Sequence, residues 1–303
     1  MYKLVPIESD PVVYAIPVFL LLIGIELYIN YREHRNLYNS GEAWSSIAMG
    51  LGSVAINVLM KGLAYGVFTI LSNFRLFDLG WHWYTWVLIF IADDFTFYWH
   101  HRLSHEIRIL WAAHVNHHSA QSMNLAIALR QSWAELIYKY IWWLWLPLMG
   151  FPPLMILMMI SFSLIYQFWV HTELIHRFPS WMEAIFNTPS HHRVHHASNI
   201  RYLDRNHAGI LIIWDRLFGT FTEEREDEHP AYGITKNIHT NNPFKIASHE
   251  FIDLWHDVKN AKGWNNKMKY LFMPPGWSPD GPDLRAKTLR AQLEQDELKN
   301  LKK

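Results

Sequence analysis

Five long apolar segments constrain the fold of this chain more strongly than any other feature of its sequence. The first, VVYAIPVFLLLIGIELYI at residues 12–29, is long enough to cross a bilayer and contains one charged residue, Glu26. The other four segments lie at residues 46–71, 81–99, 135–150 and 153–170. The last two meet at MGFPP, which is a turn signal, and we interpret them as a helical hairpin. The pattern predicts an all-α, integral-membrane helical bundle with four or five transmembrane helices.

The composition describes an apolar chain without thiol chemistry. Half of the 303 residues are hydrophobic and only 18% are charged, while cysteine is absent. The lack of cysteine excludes disulfides, thiolate metal sites and a cysteine nucleophile. The formal net charge of zero gives no indication of a nucleic-acid partner. Any metal ion in this protein must therefore be bound through nitrogen or oxygen.

Three histidine-rich clusters follow the apolar segments: HHRLSH at residues 100–105, HVNHH at 114–118 and HHRVHH at 191–196. On a helix, residues three and four positions apart share one face. Each cluster therefore projects two or three imidazoles along one helical stripe. Eight such ligands are more than one ion can use, whereas two ions would receive about four each. The eight histidines are His101, His105, His114, His117, His118, His192, His195 and His196.

The number and type of these ligands favour iron over other metal sites. Imidazole suits zinc, copper, iron and nickel, but a structural zinc site needs only four ligands. Carboxylate-bridged di-iron proteins need two Glu-x-x-His pairs, and this chain offers one, Glu173 with His176. An all-histidine centre with two Fe ions fits best. A histidine-lined membrane metal-binding or transport protein is the alternative from another class, and a zinc hydrolase is a third, although HExxH is absent.

The order of the apolar segments predicts where the histidines lie relative to the membrane. If every segment crosses or re-enters the bilayer, all three clusters face the same side. The first loop on that side carries Arg32 and Arg35, so the positive-inside rule makes it cytosolic. We therefore expect a multi-pass membrane protein of the bacterial inner membrane or endoplasmic reticulum, with N-terminal membrane helices at 1–80, a catalytic domain at 81–222 and a cytosolic C-terminal tail at 223–303. A helical cap on the cytosolic face would carry the histidine-rich site.

The clusters, together with WDRLFGTF at residues 214–221, resemble the fatty acid hydroxylase/sterol desaturase superfamily of integral-membrane di-iron oxygenases. Within it, LWAAHVNHHSAQSMNLAIALRQS at 110–132 and FNTPSHHRVHH at 186–196 are most similar to the branch that cleaves ether lipids. The resemblance implies an O2-dependent lipid monooxygenase that hydroxylates a C–H bond and cleaves alkylglycerol ethers, with a tetrahydropterin as reductant. The alternative is a sterol or fatty acyl desaturase or hydroxylase that takes electrons from a redox partner protein.

The resemblance also bears on individual histidines. It implies metal ligation by the same eight residues and adds His171, in QFWVHTELI. The family usually has tyrosine where this chain has His207, so the role of that residue is open, as is that of His176. His100 and His191 precede the matched positions, and we expect them at the surface or behind the ligands.

Metal-binding histidines usually need a carboxylate or carbonyl on their second ring nitrogen. Asp94 lies two helical turns before His101, Glu106 directly follows His105, and Asp204 follows the last cluster. We predict that these three acids orient the ligands, although an ordinary solvated role is the strong alternative for Glu106. The candidates for the substrate entrance are Asn124, Arg130 and Gln131.

Overall fold

The computed structural model describes residues 10–300, and this range is helical. Its β contacts are isolated bridges such as that between Phe186 and Leu211. Short 3₁₀ turns at Ile127–Leu129, Lys139–Trp143 and Ile200–Tyr202 interrupt the helices. The helices are α1 (Pro11–Glu33), α2 (Ser40–Ser72), α3 (Trp83–Glu106), α4 (Arg108–His118), α5 (Trp133–Tyr138), α6 (Trp145–Met149), α7 (Pro153–Trp169), α8 (Ser180–Ile185), α9 (Pro189–His195), α10 (Ile213–Phe218), α11 (Pro243–Asn260), α12 (Trp264–Phe272) and α13 (Ala286–Asn300).

Helices α1 and α2 are long and apolar enough to cross a membrane. Both begin at a polar cap: the side chain of Asp10 accepts a hydrogen bond from Val12 N, and that of Asn39 accepts one from Glu42 N. Most of their apolar side chains are exposed, and so are those of the first turns of α3. An exposed apolar surface of this extent marks a region that another apolar phase covers. The helices therefore have the character of a membrane protein.

The structure corrects the prediction for residues 135–150. This segment is divided among α5, the 3₁₀ turn at Lys139–Trp143 and α6, so the predicted hairpin has a short and broken first arm. Pro147 lacks the amide hydrogen that a continuous helix needs. Gly150, with φ of 102°, then ends α6 where a side chain would meet the carbonyl oxygen of Phe77. Among residues 10–300, two helices, α1 and α2, meet the length and hydropathy expected of a span.

Buried contacts join the apolar helices to the segments that carry the histidines. Phe68 of α2, Ile89 of α3 and Met155 of α7 lie in one apolar core. Glu26, the charged residue of the first apolar segment, is buried and accepts hydrogen bonds from the amide of Leu125 and the hydroxyl of Thr172. Helix α1 is thereby fixed to two loops that adjoin the histidine-bearing helices.

The region predicted as a C-terminal tail contains three helices, and it packs against the histidine-bearing part of the chain. Helix α11 lies against α4, and Arg108 of α4 pairs with Glu250 of α11 at 2.9 Å. Helix α13 contacts the Ile200–Tyr202 turn, where Arg290 donates to the carbonyl of Leu203. Helices α11 and α13 therefore pack against the part of the chain that carries the histidines.

Candidate metal centre

The structure collects nine histidines from α3, α4, α9 and the segment after α7 into two groups. In each group the potential ligand atoms all lie within 4.8 Å of one another. Helical spacing causes the division, because neighbouring members of one cluster point toward different groups. The five-histidine group consists of His101, His105, His114, His118 and His195, and the four-histidine group of His117, His171, His192 and His196.

The Nε2 atoms of the rings converge within each group. His114 Nε2 lies 3.0 Å from that of His101 and 3.2 Å from that of His118. In the four-histidine group, His171 Nε2 lies 2.9 Å from that of His192 and 3.2 Å from that of His117. Nitrogens this close to one another surround one shared space in each group. The structure therefore brings together all nine histidines that the sequence singled out as candidate ligands.

The opposite ring nitrogen, Nδ1, is held by the backbone in four of the nine histidines. Each of these rings donates to a carbonyl oxygen, which fixes its tautomer and leaves Nε2 as the free electron pair. The pairs are His101 with His207 O at 2.8 Å, His195 with Arg205 O at 2.9 Å, His117 with Arg130 O at 3.2 Å and His171 with Gln167 O at 2.8 Å.

Carboxylates orient two further ligand rings. Glu135 Oε2 accepts from His114 Nδ1 at 2.9 Å, while its Oε1 lies 2.9 Å from His100 Nε2. Asp204 Oδ1 lies 3.4 Å from His105 Nδ1. Burial raises the pKa of Asp204 to about 7. His100, expected at the surface or behind the ligands, is buried behind His114.

The donor set fits metal ions that prefer imidazole. The Nε2 atoms of His105 and His195 are buried without a hydrogen-bond partner, which is costly unless another species occupies the space between the rings. Burial, reinforced by the neighbouring His101, holds the pKa of His195 well below its usual range. The ring is therefore neutral at neutral pH, as metal ligation requires. Neutral nitrogens without thiolates suit iron, zinc and copper.

Two of the acids predicted to orient histidines have other partners. Asp94 accepts from the amides of Ile210 and Leu211 and from Trp214 Nε1, at 2.8 to 3.0 Å. It therefore fastens the segment that precedes α10 to α3. Glu106 pairs with Arg102 at 2.8 Å. The prediction placed both acids by their distance along α3, but their side chains satisfy nearer donors.

The residues predicted to line the substrate entrance are structural instead. Arg130 is 1% exposed and donates to the hydroxyls of Ser46 and Ser119, so it ties α2 to the segment after α4. The amide of Asn124 donates to a carbonyl in the loop between α1 and α2, and that of Gln131 donates within its own turn. The side chains of Arg130 and Asn124 therefore join separate segments, whereas that of Gln131 bonds within its own turn.

Sequence reasoning missed Glu135 and Glu183. Glu135 lies in an apolar segment that was interpreted as a span, although Ser132 three residues earlier is a helix-capping signal, and Ser132 does cap α5. Glu183 pairs with His191 Nε2 at 3.0 Å and accepts from Ser190. His191 is therefore a buried scaffold residue. His176 is exposed and lies outside both groups.

A cavity of 1280 Å³ lies between the two histidine groups and the C-terminal helices. His105 of the five-histidine group and His196 of the four-histidine group line it. The paired side chains of Arg108 and Glu250 and the ring of Tyr270 line its remainder. The cavity thus gives both groups one shared, polar and partly aromatic approach.

Comparison with known proteins relates the site to a known family. Residues 86–220 match the model of the fatty acid hydroxylase family. The chain is 39% identical to the alkylglycerol monooxygenase of Xenopus tropicalis over 93% of its own length and 63% of that protein, and 39% identical to the human enzyme over 91% and 62%. An ornithine lipid hydroxylase of Rhizobium tropici is 29% identical over 50% of this chain and 46% of that protein.

These matches have a defined extent. The chain spans less than two thirds of the length of the alkylglycerol monooxygenases that it matches. No solved structure matches it. The matched region runs from α3 to just beyond α10 and contains all nine grouped histidines, seven of them on helices, with His171 directly after α7 and His196 directly after α9. Residues 86–220 are therefore similar to the fatty acid hydroxylase family, within a chain that is similar over most of its length to the alkylglycerol monooxygenases.

Proposed function

We propose that this protein is a membrane-bound, O2-dependent lipid monooxygenase with two iron ions, and that it cleaves alkylglycerol ethers by hydroxylating the carbon next to the ether oxygen. The observation that carries the proposal is the division of nine inward-facing imidazoles into two adjacent groups. The 39% identity to alkylglycerol monooxygenases over most of the chain supports the substrate class. The similarity to an ornithine lipid hydroxylase supports lipid hydroxylation more generally.

The two histidine groups would hold one iron ion each. Iron supplies the activation of dioxygen and the cleavage of an unactivated C–H bond, which protein side chains cannot perform. The chain contributes neutral ligands whose Nδ1 atoms are already engaged, so Nε2 is preorganised for binding. Glu135 places negative charge behind His114 and strengthens its donation to the ion.

The overall reaction consumes one dioxygen and two electrons. One oxygen atom enters the C–H bond beside the ether and the other leaves as water with two protons. The resulting hemiacetal breaks down to a fatty aldehyde and free glycerol. The burial of the histidine groups, whose members are at most 6% exposed apart from the partly buried His117, excludes bulk water from the reacting carbon.

The polar cavity is the route for a soluble reductant. Its volume of 1280 Å³ exceeds that of a typical small-molecule site, so it accommodates a tetrahydropterin together with the polar head of a lipid. Ring stacking on Tyr270 and hydrogen bonding to Glu250 suit a flat heterocycle that carries several N–H groups. A redox partner protein would instead have to dock outside this cavity.

The membrane arrangement supports the same function. In our proposal α1, α2, α7 and the apolar part of α3 lie in the bilayer, and the histidine groups lie at its cytosolic edge. Arg32, in the last turn of α1, and Arg35, between α1 and α2, favour that orientation. A lipid could then extend its tail among apolar helices while its head remains in water.

Product analysis tests the proposed activity. Detergent-purified protein should contain about two iron ions per chain. With an alkylglycerol and oxygen, it should release fatty aldehyde when a tetrahydropterin is supplied and none with a flavin-fed protein donor. Iron without aldehyde under either condition would exclude ether cleavage and leave acyl or sterol hydroxylation or desaturation. Zinc as the sole bound metal would exclude an oxygenase.

Cysteine labelling tests the proposed membrane arrangement. The native chain is cysteine-free, and both Glu226 and Asp78 are exposed. In intact inverted membrane vesicles, Glu226→Cys should react with an impermeant maleimide, whereas Asp78→Cys, between α2 and α3, should react only after the vesicles are opened. Equal labelling of both variants in intact vesicles would contradict the arrangement.

A further inference from the structure

One buried histidine, His207, lies outside both groups and is 0% exposed. Its ring lies near the backbone of Asp204, but neither Nδ1 nor Nε2 makes a well-formed hydrogen bond to any atom of residues 10–300. A neutral imidazole has one donor and one acceptor, and leaving both unpaired in a protein interior is costly in free energy. Such a residue in a well-packed site indicates that its partner is a species other than protein.

The ring of His207 lies against the five-histidine group. Its centroid is 5.0 Å from that of His105, 5.7 Å from that of His195 and 5.8 Å from that of His101. Rings within the group are similarly spaced, as His105 and His195 are 4.9 Å apart. However, His207 is not a member of the group, whose potential ligand atoms all lie within 4.8 Å of one another. His207 therefore lies next to the five-histidine group and is not one of its members.

The position of this ring is built into the backbone. Asp204 and Asn206 have φ of 50° and 56°, a conformation that these residue types tolerate better than most. The side chain of Asn206 donates to the carbonyl of His191, and the amide of His207 donates to Asp215 at 2.8 Å. Because the loop is clamped on both sides, His207 is held against the group and not placed there by chance.

We propose that His207 is a positioning residue that hydrogen-bonds the non-protein ligand of the ion in the five-histidine group. If all five imidazoles bound one six-coordinate ion, one position would remain for water or an added anion. His207 borders three of the five rings, so its ring lies beside the space that such a ligand would occupy. The inference rests on the proposed metal centre and goes beyond it, because the proposed function gives His207 no role.

Azide binding to the cobalt-loaded chain provides a test that does not depend on turnover. Two Co(II) ions per chain should bind to wild type, and azide should change their visible absorption. His207→Leu, of similar volume, should keep both cobalt ions but weaken azide binding about ten- to a hundred-fold, as expected for a lost hydrogen bond to a charged ligand. His207→Gln, which retains a donor, should stay within a few-fold of wild type.

Controls separate this role from a structural one. His249 also has an unpartnered ring nitrogen but lies in the outer cavity, so His249→Leu should leave azide binding unchanged. Metal-free His207→Leu should melt no lower than wild type, because the substitution removes two unpaired polar groups. Unchanged azide affinity in His207→Leu, or loss of a cobalt ion, would overturn the proposal. If wild type itself bound no cobalt, that result would contradict the proposed metal centre as well as the role of His207.

Discussion

Glu135 Oε2 lies 2.9 Å from Nδ1 of His114, whose Nε2 faces the five-histidine group. We predict that Glu135→Gln lowers iron affinity about ten- to a hundred-fold, the usual effect of losing a partner behind a ligand. The amide keeps an acceptor oxygen but removes the negative charge that strengthens the ring as a donor. Competition with a calibrated chelator measures the change. Glu106→Gln is the matched control, because Glu106 pairs with Arg102 alone.

Substitution of the grouped histidines themselves should have a larger effect than substitution of Glu135. His118→Ala and His195→Ala should each abolish turnover and lower iron content measured by elemental analysis, because each removes a ring from the five-histidine group. His229→Ala and His256→Ala should change neither quantity, since both residues are exposed and lie outside the groups. Equal losses in the two pairs would show that the histidine groups are not the site.

The metal-free protein should lose stability in mild acid. Burial and neighbouring imidazoles hold the pKa values of His118, His192 and His196 well below the usual range. The unfolded chain therefore takes up protons first as the pH falls below about 6.5, and the free energy of unfolding decreases by up to about 1.4 kcal/mol per pH unit for each such group. The melting temperature should be lower at pH 5.5 than at pH 7.5. A flat profile would contradict buried, neutral rings.

The loop that orients His101 should be sensitive to a single methyl group. A Cβ at Gly209 would lie 2.8 Å from the ring of Phe97 and 3.0 Å from the carboxylate of Asp94. Gly209→Ala should therefore destabilise the protein by about 1–3 kcal/mol and weaken iron binding, because residue 207 supplies the carbonyl that holds His101. Gly62→Ala, with open space around it, should not lower the melting temperature.

The sequence predicted those parts of the structure that depend on local periodicity. Apolar runs located α1, α2, α3 and α7, and the spacing of the histidines predicted three ligand-bearing helices. The second and third clusters are each divided between the two groups, whereas His101 and His105 of the first cluster enter the same group. Spacing along one helix does not predict which rings of different helices meet. Residues 135–150 looked like one span by hydrophobicity, yet the chain turns there and brings the carboxylate of Glu135 to His114. Asp94 was assigned to a ring by position along α3, but nearer backbone donors compete for it.

Four ligand rings are held by main-chain carbonyls, at residues 130, 167, 205 and 207. A side-chain substitution at those positions changes the side chain and leaves the acceptor oxygen in place. The orientation of His101, His117, His171 and His195 is thus insulated from most point mutations as long as the backbone keeps its path. Sequence drift can alter what surrounds the metal centre, including the residue at 207, without misaligning these ligands. The path of the backbone, more than the identity of the neighbouring side chains, therefore sets the orientation of these four rings.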